Sequence, residues 1–366
     1  MTIRVGLIGF GLSGRVFHAP FIVHDAGMAL TAVCSRQADE VLKVAPAAKV
    51  LTSAQDLIED TAIDLVVITT PNDLHYPLAK AALLAGKHVL LEKPSVTELA
   101  HIEALCLLAQ QQNLVLCVYQ NRRFDGDFKR LTELLKSGEL GQLKHLESRF
   151  DRFRPQAQDR WRELPGKGTG IFWDLGPHLL DQVLLLLGAP SWVQASTAIL
   201  RDKGQTTDWF EVELGYGDKS VRLASSPFEA GIMRRFKAGF TAGSWHCDGL
   251  DPQEEALRAG QMPWHDGFPT VAPSQVASRY SLNTNLADTH GAIHRQSETP
   301  EAGSYTQFYQ QLRLAILGQG QAPVSLRHAC ELIYTLELLE ASADQGQRLD
   351  WRYSAPVKGD GSTTEA

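Results

Sequence analysis

Apolar runs and amphipathic stretches alternate along the first third of the chain. Ile3-Arg4-Val5-Gly6-Leu7-Ile8 is short, apolar and partly β-branched, the signature of a buried strand. Runs of the same kind recur at residues 30–34, Lys49–Leu51, 64–69, His88–Leu91 and 114–118. The stretches between them, 15–23, 56–59, 74–85 and 98–111, have helical character. Strands joined by crossover helices predict a parallel, doubly wound sheet, and near-continuous apolarity predicts that both its faces are covered. The pattern therefore predicts an α/β fold that opens with a Rossmann domain over residues 1–119.

Beyond Leu140-Gly141 the period changes. Residues 145–150, 210–216, 221–225, 235–239 and 241–246 read as strands whose connections are too short for crossover helices. They predict a mostly antiparallel sheet. A long apolar helix is expected at 176–187, and amphipathic helices at 305–317 and 326–343 close the domain. The second domain, residues 120–353, is thus expected to be α+β. Residues 354–366 are rich in Gly, Ser and Thr and read as a mobile tail.

Composition narrows the function classes. A chain of 366 residues predicts two domains, each able to bury a core. The net charge of −7 lacks the basic excess that nucleic-acid binding needs. No apolar run reaches the ~20 residues of a membrane span, and the amino terminus, itself a strand candidate, has no signal-peptide layout. Cys34, Cys106, Cys117, Cys247 and Cys330 are scattered without C-x-x-C spacing. Free thiols in a reducing compartment are expected, with no metal site, and so a cytoplasmic protein.

The first chemical signal is Gly9-Phe10-Gly11-Leu12-Ser13-Gly14, a G-x-G-x-x-G between the first strand and a helix. Gly9 permits a tight turn, Gly11 lets a pyrophosphate approach the backbone, and Gly14 lets the helix pack close to the sheet. The helix N-terminus then faces the phosphates. About 20 residues on, an NAD site usually presents Asp or Glu to the ribose. Here the second strand ends Cys34-Ser35-Arg36, and the nearest carboxylate is Asp39 in the following segment. Ser35 and Arg36 suit a 2′-phosphate, which predicts NADP over NAD; otherwise Arg36 is a solvated loop charge. The fourth strand runs into Thr69-Thr70-Pro71-Asn72, where Asn72 either contacts a ligand or caps the next helix, and His75 reads as helix surface or a local contact. The fifth ends Glu92-Lys93-Pro94. Pro94 fixes the backbone so that Lys93 is aimed at the crevice beyond the strand ends.

The second signal is Phe172-Trp173-Asp174-Leu175-Gly176-Pro177-His178. Asp174 and His178 share a face if both are helical, and a carboxylate beside a histidine in an apolar element suits proton transfer. Two ligands with no third argue against a metal. Trp161 and Trp173 either wall off the reaction or belong to the core. Arg154 and Arg162 either bind substrate or pair with Asp151, Asp159 and Glu163.

Taken in order, G-F-G-L-S-G, T-T-P-N, E-K-P and Asp174…His178 resemble the Gfo/Idh/MocA family of nicotinamide-dependent sugar and polyol oxidoreductases, over nearly the whole chain. The runs Tyr119–Phe124, Arg152–Pro155, Arg160–Glu163 and Glu255–Gly260 look like its NADP-dependent scyllo-inositol dehydrogenase branch. The resemblance implies that the mostly antiparallel sheet is open and carries substrate against the Rossmann crevice, with a homo-oligomer, dimer or tetramer, built on its other face. It implies interconversion of a secondary alcohol and a ketone on a cyclic polyol or sugar, with scyllo-inositol and its ketone foremost. An aldose dehydrogenase and a non-catalytic NADP(H)-binding sensor are the alternatives. The cofactor set expected is Gly9, Gly11, Leu12, Gly14, Ser35, Arg36, Thr70, Asn72, Glu92 and Lys93. Substrate is expected at Lys93, Arg154, Trp161, Asp174 and His178. Of these, His178 is the expected base, with Asp174 fixing its tautomer and Lys93 holding the reacting oxygen; Lys93 is the other candidate base.

Overall fold

The computed structural model describes residues 2–269, 282–288, 290–299 and 301–357. The apolar runs of the first third form strands β1 (Ile3–Ile8), β2 (Met28–Cys34), β3 (Lys49–Leu51), β4 (Leu65–Ile68), β5 (His88–Leu91) and β6 (Leu116–Val118). All are parallel, in the order β3-β2-β1-β4-β5-β6. Every residue of β4 is buried, as continuous apolarity requires of a strand covered on both faces. The chain winds outward from β1 to β3, then returns to place β4 beside β1. The topological switch, where doubly wound sheets bind ligands, therefore lies between these two strands.

Short helices α1 (Ala19–His24), α2 (Ala38–Val44) and α3 (Ala54–Glu59) and longer ones α4 (His75–Leu84) and α5 (Leu99–Gln112) cover this sheet. The stretch before α1, Gly14–His18, is a π-turn and not the regular helix expected. The wider turn accompanies a His18 that is wholly buried.

The second sheet has nine strands: β7 (Leu143–Arg149), β8 (Trp192–Ala198), β9 (Trp209–Tyr216), β10 (Lys219–Ser225), β11 (Arg234–Phe240), β12 (Gly243–Asp248), β13 (Leu282–Ala287), β14 (Ile293–Glu298) and β15 (Leu349–Asp350). Their order is β14-β13-β12-β11-β7-β10-β9-β8-β15, and only β7 and β10 pair in parallel. Strands β8, β13, β14 and β15 were not legible as strands. The last two carry few apolar residues, because β14 is an exposed edge and β15 only two residues long. The expected strand at 241–246 begins at Gly243, because Thr241 and Ala242 form the turn from β11.

Helices α6 (Gly126–Ser137), α7 (Gly170–Leu187), α8 (Gln253–Arg258), α9 (Thr306–Ile316) and α10 (Leu326–Gln345) complete the described elements. Of these, α7 packs on β9 and β10, and α10 packs on β8, α5 and α7. No helix among the described residues is long and apolar enough to cross a membrane. All five cysteines are free thiols. Within the tail expected from residue 354, Val357 is buried; residues 358–366 lie outside the described residues.

Helix α7 begins at Gly170, six residues before the expected start, so Asp174 and Pro177 are both interior. Thr169 is its N-cap residue, and the Ile171 N–H donates to the Thr207 carbonyl, which anchors the first turn. The helix carries a polar stripe at i, i+4 and i+7: Asp174, His178 and Asp181. Asp181 is buried and accepts two bonds from Arg123, at 2.8 and 2.7 Å. A third contact is His328 Nε2 at 2.9 Å. Arg123 follows β6 and His328 lies on α10, so one carboxylate ties α7 to the segment after β6 and to α10. Asp181→Ala would leave a buried guanidinium unpaired. A loss of ~3–5 kcal/mol is expected, read as an earlier urea midpoint.

Candidate functional site

Loops leaving β1, β4 and β5 meet at one edge of the parallel sheet. The β1 loop turns at Gly9, whose φ of +96° favours glycine. At Gly14 a Cβ would stand 2.6 Å from the Gly9 carbonyl oxygen, so only glycine fits there; at Gly11 it would meet nothing within 4 Å. The loop is thus closed against the sheet and open outward. Thr69 Oγ1 donates to the Gly9 carbonyl at 3.0 Å and joins the ends of β1 and β4. Next to it, Thr70 Oγ1 is buried without a hydrogen-bond partner among the described residues. An open glycine cradle and an orphaned hydroxyl beside the switch point fit a nicotinamide dinucleotide, whose phosphates take backbone N–H groups.

Just after β2, on the side of that cradle away from β5, stand Ser35 and Arg36. Ser35 Oγ accepts the Gln37 N–H at 3.0 Å, and Arg36 is exposed with no ion pair among the described residues. Leu12, at the tip of the glycine loop, is 45% exposed. Three strand spacings separate β2 from β5, about 14 Å, which places Arg36 and Lys93 at opposite ends of the site.

The β5 loop is held from several sides. Glu92 takes the Ser13 hydroxyl and His18 Nε2, the latter at 2.9 Å, on one oxygen, and the Lys93 N–H at 2.9 Å on the other. Burial raises its pKa, but His18, Ser13 and Lys93 outweigh that and hold it at about 2. Glu92 is therefore ionised and links the glycine loop to Lys93. The Lys93-Pro94 bond is cis. His75, expected on the surface or in a local contact, is buried: Nδ1 lies 3.0 Å from the Pro94 carbonyl and Nε2 lies 2.9 Å from that of Thr70. It staples the β4 and β5 loops together. Asn72 does not cap its helix. Its amide donates to the Gly168 carbonyl at 3.1 Å, reaching across to the loop before α7.

Lys93 Nζ donates to the Asp174 carbonyl at 3.0 Å and to its carboxylate at 3.2 Å. Arg152 and Arg162 approach the same carboxylate at 3.9 and 4.0 Å. Burial opposes ionisation of Asp174, but Lys93, Arg162 and Arg152 keep its pKa well below the usual carboxylate range. This corrects the expected Asp174–His178 pair. The two residues share a helix face, yet among the described residues no hydrogen bond joins them, and His178 Nδ1 is buried without a partner. Burial, and then the cations Lys93, Arg122, Arg235 and Arg152, push the imidazole pKa far down. Asp174 orients the lysine, and His178 is a neutral imidazole in a cationic field.

A cavity of about 290 Å³ opens from Asp174 between the start of α7 and the segment after β7. Arg152, Arg154, Arg160, Arg162, Arg201 and Glu163 are among its lining. The expected surface pairings are rearranged: Arg149 holds Asp151, Arg201 holds Glu163, and Arg162 faces Asp174. Trp173 is a core residue, 2% exposed, whose indole donates to Glu340 at 2.6 Å. The side chain of Trp161 lies outside the described residues. A larger cavity, about 610 Å³, opens at Thr2, His24, Gly27 and Arg313, beside the amino ends of β1 and β2. Lys93, Asp174 and His178 do not line it, and the strand ends there point away from the switch. His18, Arg122, Arg152 and Arg235 were missed from sequence. Their signal was a charged or polar residue inside a stretch that otherwise reads as buried, which only a known partner makes meaningful.

Comparison with known proteins agrees with this geometry. Residues 3–120 match the description "Oxidoreductase family, NAD-binding Rossmann fold", and residues 128–245 match "GFO/IDH/MocA C-terminal domain". The chain is 40% identical over 337 residues to the uncharacterized oxidoreductase YdgJ of Escherichia coli, covering 92% of this chain and 95% of that one. It is 32% identical over 345 residues to the scyllo-inositol 2-dehydrogenase (NADP(+)) IolW of Bacillus subtilis, covering 94% of each. Among solved structures, the oxidoreductase yvaA from Bacillus subtilis superposes with a TM-score of 0.91 at 31% identity, over 96% of this chain and 99% of that one.

Proposed function

The chain belongs to the Gfo/Idh/MocA family of oxidoreductases, and from that premise we propose that it interconverts a secondary alcohol and a ketone on a cyclic polyol or sugar, with NADP as cofactor. The observation that carries this reading is the Lys93 ammonium just beyond β5, fixed by Asp174, which itself lines the arginine-rich cavity. The bound nicotinamide supplies the hydride acceptor. The chain's residues handle the oxygen and its proton. Lys93 donates a hydrogen bond to the reacting oxygen and stabilises the charge that grows there. His178, kept neutral by its surroundings, accepts the hydroxyl proton as the O–H pair becomes part of the carbonyl.

Arg36, exposed and unpaired with any described residue at the tip of β2, supports NADP over NAD. Arg36→Ala is expected to weaken NADPH binding about 10- to 100-fold, the range of a hydrogen bond to a charged group, and to leave NADH binding unchanged. Fluorescence titration reads both, and equal losses would remove the assignment. The polar face of the second sheet, which carries Glu213, Arg222 and Lys237, is where a second copy would dock to give a dimer or tetramer.

The relative named a scyllo-inositol 2-dehydrogenase makes scyllo-inositol the first compound to assay. Initial rates over inositols, aldoses and linear polyols, each with NADP and NAD, test the reading. Oxidation with NADP preference supports it. NADPH binding with no turnover in either direction would favour the sensor.

A further inference from the structure

The cavity beside Asp174 is unusual in its charge. Its lining contains five arginines, Arg152, Arg154, Arg160, Arg162 and Arg201, against two carboxylates, Glu163 and Asp174. That is a surplus of three positive charges. Extending the count to Lys93, which touches Asp174, and Asp208, which touches Arg201, leaves it unchanged.

Both carboxylates of the lining are engaged. Glu163 accepts from Arg201 at 3.1 Å and from the Gln158 N–H at 2.8 Å. Asp174 holds Lys93. Arg201 is also anchored on Asp208 at 3.0 Å. By contrast, the guanidiniums of Arg154 and Arg160 make no hydrogen bond or ion pair among the described residues. Arg154 is close enough to Arg152 to disfavour its charge, after burial as the main cause.

A polyol hydroxyl both donates and accepts, so guanidinium groups, which only donate, can bond its oxygens but give its protons no acceptor, whereas an oxyanion offers lone pairs alone. This lining offers fixed donors in a fork geometry that matches carboxylate or phosphate oxygens. A confined positive field also concentrates anions. From this charge pattern we infer that the substrate carries an oxyanion, a carboxylate or a phosphate, which Arg154 and Arg160 receive while its carbinol faces Lys93. The inference rests on the oxidoreductase reading of the same site and narrows its substrate class to acidic or phosphorylated sugars and polyols.

Calorimetric titration of the NADP-loaded protein tests it, with glucose, scyllo-inositol, glucuronate and glucose 6-phosphate as probes. At least one acidic probe is expected to bind about 10- to 100-fold tighter than glucose. The advantage should shrink at about 0.5 M salt. It should vanish in the double variant Arg154→Gln/Arg160→Gln, with NADPH fluorescence titration reporting an intact cofactor site. If that variant fails to bind NADPH, Arg160→Gln alone, on an exposed segment, carries the comparison. Which acid binds tighter separates carboxylate from phosphate recognition. Acids that bind no better than glucose, or an advantage that survives the substitutions, would overturn the inference. Because titration needs no turnover, an acid that binds but is never oxidised leaves the anion site standing and removes the polyol-oxidation reading. Oxidation of scyllo-inositol with no acid preference does the reverse.

Discussion

His178→Ala is expected to lower kcat by about 10²- to 10⁴-fold while NADPH affinity changes little, the loss appropriate to a general base. The imidazole is buried, its Nδ1 has no partner among the described residues, and the surrounding cations disfavour its protonation. The pH profile follows from the sign of that shift. A base works unprotonated, and a lowered pKa keeps it so as the pH falls. Oxidation should therefore hold its kcat/KM below the ordinary histidine value of about 6.5 and fall only in more acidic solution. In His178→Ala that acid limb should disappear. If kcat and NADPH binding fell together, His178 would be a packing residue, and an unchanged acid limb would transfer the base role to Lys93.

Lys93→Met is expected to cost about 10²- to 10³-fold in kcat/KM, the magnitude for losing one donor to a developing oxyanion. Methionine keeps the stem and removes the ammonium, so the fold and the Glu92 contact to the Lys93 backbone N–H should persist. Asp174→Asn makes a graded companion. It removes the charge that Lys93 faces at 3.2 Å but leaves the Asp174 backbone carbonyl, which Lys93 contacts at 3.0 Å. Its rate should fall between wild type and Lys93→Met, with NADPH affinity retained. A methionine variant that turned over normally would leave Lys93 as a structural ion-pair partner.

The parallel sheet and its ligand edge were legible in the sequence because their causes are local. Lys49–Leu51 and His88–Leu91 form strands at the expected residues. Apolar runs of strand length cannot be left in water, and glycines at fixed offsets set the first turn without help from distant residues. Helix α6 was equally legible and passed over: Phe128, Leu131 and Leu134 mark one face, and Gly138 closes it in the left-handed conformation.

Partnership was decided by tertiary structure. Asp174 and His178 sit four apart, and sequence spacing favours pairing them. Yet the carboxylate goes to Lys93, 81 residues earlier in the chain, because a partly buried ammonium needs an anion more than a neutral imidazole does. Likewise Glu92 reaches His18 and Asn72 reaches Gly168. In sequence Arg154 and Arg162 could bind substrate or pair with Asp151, Asp159 and Glu163; in the structure Arg149 and Arg201 take Asp151 and Glu163, and Arg154 and Arg160 line a cavity. Apolar burial depends on period along the chain, and the sequence carries that period. Charge pairing depends on distance in space, which only the packed lobes determine.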